Sequence, residues 1–153
     1  MPPADANENP PPTALPRVLV AHEDVGTCRL IRETLGQFGE CAVDTSPTAE
    51  YAYELALQRD YLLFMFGLTM PVIPGELLYE LLYKAYRYGG SVARHCPGVI
   101  YIADAADAGR AEGLLREARV KGVLVKPLSI DRILSRVKGI VKLREEGQAF
   151  PGP

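Results

Sequence analysis

Three places in this 153-residue chain could carry chemistry, and each falls directly after an apolar run. His22-Glu23-Asp24 follows Arg17-Val-Leu-Val-Ala21, Gly67 closes Tyr61-Leu-Leu-Phe-Met-Phe66, and Lys126-Pro127 follows Gly122-Val-Leu-Val125. Apolar runs this short, bounded by turn signals, suit strands buried on both faces of a parallel sheet. Ligands and reacting groups in such a sheet sit outside the carboxyl ends of the strands. Gly67 therefore stands where a catalytic side chain is expected, and it has none. Glu23 and Asp24 would repel a phosphate, and the Ser/Thr/Gly-rich loop that grips one is missing. No Ser-His-Asp, Cys-His or paired-carboxylate constellation is evident, so no enzyme is expected. His22, a lone histidine without further ligands, reads as a neutral polar residue at a strand end, not as a metal ligand or pH sensor.

The elements that must position these residues alternate strand and helix. After the first strand, Leu30, Ile31, Leu35 and Phe38 recur at helical spacing, and Gly39 is a stop signal. Cys41 to Thr45 reads as a second strand. Ser46-Pro47 then offers an N-cap and a first-turn proline for a helix running to about Arg59. Tyr61 to Phe66 is the third strand, and Met70-Pro71 to Pro74-Gly75 is a rigid loop. A third helix begins near Gly75, with Leu77, Leu78, Leu81, Leu82 and Ala85 expected on its buried face and Gly89-Gly90 at its end. Val99 to Ala103 is a fourth strand. Asp104 to Arg119 holds a loop and a helix in which Gly109 and Gly113 cost about 1 kcal/mol each relative to alanine. Gly122 to Val125 is the fifth strand. Ser129 caps a last helix bearing Ile133, Leu134, Val137, Ile140 and Val141. Five strands alternating with five helices make an α/β domain whose parallel sheet is covered on both faces.

Composition narrows the class. One domain is expected over residues 17–143, between a proline-rich disordered arm, 1–16, and a flexible polar tail, 144–153. A net charge of −2 gives no electrostatic case for nucleic acid or an anionic membrane. No apolar run approaches the length of a membrane span, and the N-terminus has no leader pattern. Cys28, Cys41 and Cys96 are odd in number without metal-ligand spacing, which fits reduced thiols in the cytoplasm.

An apolar strand, then Met70-Pro71 with Gly75, resembles the third strand and following loop of response-regulator receiver domains. Val-Leu-Val before His22-Glu23, and Gly122-Val-Leu-Val before Lys126-Pro127, extend the resemblance from Arg17 to about Leu143. It implies a CheY-like, flavodoxin-like doubly wound sheet of order 2-1-3-4-5. It also implies where the phosphorylation pocket should lie. The acidic pair that holds Mg²⁺ falls on His22 and Glu23, with Asp24 as the further acid. The phosphoacceptor aspartate, four residues before the proline, falls on Gly67. The switch hydroxyl falls on Ala103, and the lysine and proline are kept as Lys126 and Pro127. Glycine offers no oxygen nucleophile for phosphoryl transfer. One glutamate, Glu23, is at best a weak cation ligand, so no metal and no cofactor are expected. A surviving ion pair between Glu23 and Lys126 is expected across the strand ends.

These losses point to a degenerate pseudo-receiver, a stand-alone domain of a two-component-type bacterial signalling pathway that acts by protein–protein contact. The family's usual contact surface corresponds to Asp107 to Leu143. A second candidate is the stripe Tyr79, Tyr83 and Tyr86 with Tyr88 beyond it, read as a surface because the leucine face alone fills one apolar stripe. A second copy of the chain is a candidate occupant beside a heterologous protein. The alternatives are a phosphorelay receiver using a displaced acid, Glu23 or Asp24, and a flavodoxin-like cofactor enzyme.

Overall fold

The computed structural model describes residues 14–89 and 94–145. The expected arm up to residue 13, the tail beyond 145 and Gly90-Ser91 lie outside the described residues. Five strands, β1 (Arg17–Ala21), β2 (Ala42–Ser46), β3 (Leu63–Gly67), β4 (Gly98–Ala103) and β5 (Val120–Val125), form one sheet of order β2-β1-β3-β4-β5. Every neighbouring pair is parallel. The connections contain α1 (Val25–Phe38), α2 (Ala49–Gln58), α3 (Gly75–Tyr88) and α4 (Ala108–Leu114), and α5 (Ile130–Val137) follows β5.

The period of two in β3 divides the interior. Leu63 and Met65 point to the α1/α5 side, where they join Ile31, Leu35, Ile133 and Val137. Phe64 and Phe66 point to the other side, against Ala52 and Ala56 of α2 and Leu78, Leu82 and Tyr86 of α3. All five β3 residues are buried, as a central strand with helices on both faces requires. Each large side chain buried this way contributes about 1.5–3 kcal/mol of transfer free energy.

Several local expectations are corrected. The α2 helix is capped by Thr48, whose hydroxyl accepts from Tyr51 N, while Ser46 is buried at the end of β2. The last helix stops at Val137, and Gly139 at φ +91° turns the chain. Val141 is still buried, but beyond the helix, where an isolated bridge between Gly39 and Leu143 fastens the segment. Ser129 caps α5 as expected, accepting from Arg132 N.

The largest correction is on α3. Leu77 and Leu81 are 43% and 39% exposed, whereas Tyr79 and Tyr86 are 5% and 3% exposed. The buried face is Gly75, Leu78, Tyr79, Leu82 and Tyr86. Tyr79 and Tyr86 lie edge-on to Phe64, with ring centroids 6.2 and 6.3 Å away. Their hydroxyls donate to Pro97 O and Ala56 O. The phenol is thus a longer leucine with its polar tip satisfied. Half of the tyrosine stripe is core.

Candidate functional site

Sheet register brings the three strand ends together. Ala21 pairs with Phe66, Gly67 with Ile102, and Ala103 with Val125, so residues 22, 67, 103 and 126 share the carboxyl edge. The ladder runs one residue further on each side: His22 N donates to Ser46 O, Leu68 N to Ile102 O, and Lys126 N to Ala103 O.

Asp24 is consumed by the start of α1. Its Oδ2 accepts from Thr27 N at 3.1 Å and from Thr27 Oγ1 at 2.7 Å. The Thr27 hydroxyl is the main reason its carboxyl titrates below the usual aspartate range. Glu23 is exposed.

His22 is only 5% exposed, and its Nδ1 accepts from Asp24 N at 2.9 Å. A nitrogen that accepts cannot carry the proton, so the ring is the neutral Nε2–H tautomer. Burial, and then the charge of Lys126, hold its pKa below the ordinary 6.5.

The imidazole lies over Gly67. A Cβ built at Gly67 would meet His22 Cδ2 at 3.0 Å and Met70 Cγ at 3.2 Å, closer than side chains normally pack. A side chain at residue 67 would need both neighbours to give by a few tenths of an ångström. The following loop folds back over the strand end: Gly75 N donates to Leu68 O, and a Cβ at Gly75 would stand 2.2 Å from Gly67 O. Only glycine permits that approach of α3 to β3. Val72 in this loop holds φ +70°, a strained conformation for a β-branched residue.

Lys126 Nζ pairs with Asp104 Oδ1 at 3.5 Å, which replaces the expected pair with Glu23. Asp104 follows β4 immediately, so its side chain starts nearer the lysine than one beyond β1. The Lys126–Pro127 peptide is cis, and Pro127 is exposed. Ala103 is 2% exposed and presents only a methyl group. Among the described residues, no group of three His, Cys, Asp or Glu side chains is placed to hold a metal ion.

The structure therefore collects His22, Gly67, Ala103 and Lys126 at one edge, with Glu23 and Asp24 beside them. Met70 and Asp104 belong to the same edge and escaped sequence reasoning. Met70 could have been read from its place in the turn over Gly67. Tyr83 is partly exposed and Tyr88 is 74% exposed, both on the surface of α3 and not at this edge.

No protein-family model matches the chain, and no curated protein does. Its fold is shared by many solved structures. A response regulator receiver domain protein from Clostridium thermocellum is 15% identical with a TM-score of 0.66, over 82% of this chain and 94% of that one. A sensor protein from Polaromonas sp. JS666 is 26% identical with a TM-score of 0.62, over 82% and 95%. The chemotaxis response regulator CheY4 of Vibrio cholerae is 18% identical with a TM-score of 0.61, over 83% and 99%. The chain has the receiver-domain fold of two-component response regulators.

Proposed function

We propose that this domain is a pseudo-receiver: a signalling module of a two-component-type pathway that works through protein contacts and takes up no phosphoryl group. The observation that carries this reading is the packing of His22 and Met70 against the bare Cα of Gly67. Phosphoryl transfer needs an oxygen in line with the donor phosphorus. Here the position holds no oxygen, and a side chain there would have to push the His22 ring and Met70 back by a few tenths of an ångström. The neighbouring acids do not substitute for it, because Asp24 is tied to Thr27 and Asp104 to Lys126. A hydroxyl to follow the phosphoryl group is missing at Ala103 as well.

The output surface is then the α4–β5–α5 side or the exposed part of α3 around Tyr83 and Tyr88. The unpaired thiols of Cys28, Cys41 and Cys96 agree with a cytoplasmic setting. Among the described residues no helix is long and apolar enough to cross a membrane.

Incubation with acetyl phosphate and Mg²⁺ followed by intact-mass spectrometry tests the reading. An unchanged mass is expected. Stable addition of one phosphoryl group, on Glu23, Asp24 or elsewhere, would overturn it and return the displaced-acid receiver.

A further inference from the structure

We propose that a cleft between α3, β4 and the start of β5 is a binding pocket for an organic cation, an ammonium or a guanidinium group. It goes beyond the reading of the Gly67 edge and stands on separate residues. The cleft measures about 190 Å³, and Glu76, Glu80 and Glu117 line it together with Arg119, Tyr79 and Tyr101.

Tyr101 is the reason to look for a ligand. It is 3% exposed, yet its hydroxyl makes no hydrogen bond with any described residue. Tyr79 and Tyr86, equally buried, each donate to a backbone carbonyl. Buried hydroxyls are normally paired, so an orphan on a cleft wall marks a place where something else pairs with it. Tyr101 lines the cleft beside Glu76, Glu80, Glu117 and Arg119.

The sign of the ligand follows from charge. Three carboxylates face one guanidinium, and that guanidinium is held by stacking, its Cζ 3.7 Å from the Tyr83 ring centroid. Glu76 is paired with Arg110, and Glu80 reaches Lys84 at 4.0 Å between exposed side chains. Glu117 makes no ion pair with a described residue. An anion would meet the Glu117 carboxylate, which makes no ion pair with a described residue, whereas a cation with several N–H donors can give one to Tyr101 and face Glu117. The acids are too dispersed to form a metal cluster among the described residues, which favours an extended head group over a metal ion.

A partner's Lys or Arg side chain and a free small amine share this chemistry. Amide-resolved NMR titration of the full chain with butylammonium and methylguanidinium, then with N-acetyl-lysine amide and N-acetyl-arginine amide, separates them. Saturating shifts confined to α3, Tyr101 and residues 117–120 are expected, weakened about tenfold in Glu117→Gln. Tyr101→Phe removes an unpaired buried hydroxyl, so it should melt no lower than the parent while losing affinity. Capped residues that bind as well as the bare cations identify a partner side chain, and their exclusion identifies a free amine. Absence of saturating shifts with all of these probes would overturn the proposal. So would a Tyr101→Phe variant that melts several degrees lower with unchanged affinity.

Discussion

His22 is buried as a neutral ring. Its Nδ1 accepts a hydrogen bond from the Asp24 backbone amide, and its ring packs on Gly67. Protonation would end that hydrogen bond and put a charge in a buried place beside Lys126. The folded-state pKa is thus below the unfolded value of 6.5, and the unfolded chain binds more protons between the two. The stability that His22 contributes is complete above 6.5 and is lost as pH falls through the folded pKa. Thermal melts at successively lower pH should fall in this window, and His22→Gln should flatten the fall. A His22→Gln variant with the parent's pH profile would show that the imidazole is not the titrating group.

On α3 the side chains separate into an inner and an outer set. Tyr86 anchors the inner set: its hydroxyl donates to Ala56 O, and Arg94 lies 4.3 Å over its ring while bonding Arg59 O and Asp60. This joins the end of α3 to the end of α2. Tyr88, two residues on, is exposed beside Arg87. Tyr86→Ala is expected to destabilise the fold by about 3 kcal/mol or more, as aromatic truncations in cores do. Tyr88→Ala should stay within about 0.5 kcal/mol, so any effect it has on partner binding can be read directly. Denaturant unfolding of the two variants checks both. Equal losses would mean that the two rings do not differ in burial as described.

At the scale of the whole molecule, the architecture was legible because its strands are short apolar runs and its helices carry regular apolar spacing. β3 between β1 and β4 is the clearest case, since an uninterrupted run such as Leu63 to Phe66 has to be covered on both sides. What sequence could not decide were choices between chemically similar neighbours. Periodicity placed leucines and tyrosines side by side on α3 without saying which would face Phe64, and the larger ring won where a carbonyl could take its hydroxyl. Lys126 had acids at two strand ends within reach, and the one attached to the adjacent strand took it. The emptiness of Gly67 could be counted from Pro71. The close packing of His22 and Met70 against it could not, because that depends on rotamers and on how closely the loop closes.

The central claim is that packing has replaced chemistry at this edge, so that restoring one carboxylate does not restore a receiver. Gly67→Asp, treated with acetyl phosphate and Mg²⁺ and followed by intact mass and thermal melting, tests it most directly. The new side chain presses on the imidazole and Met70, which must each give by a few tenths of an ångström, so the predicted result is a lowered melting temperature and no phosphoryl addition. A Gly67→Asp protein that melts like the parent and gains one hydroxylamine-labile phosphoryl group would contradict it.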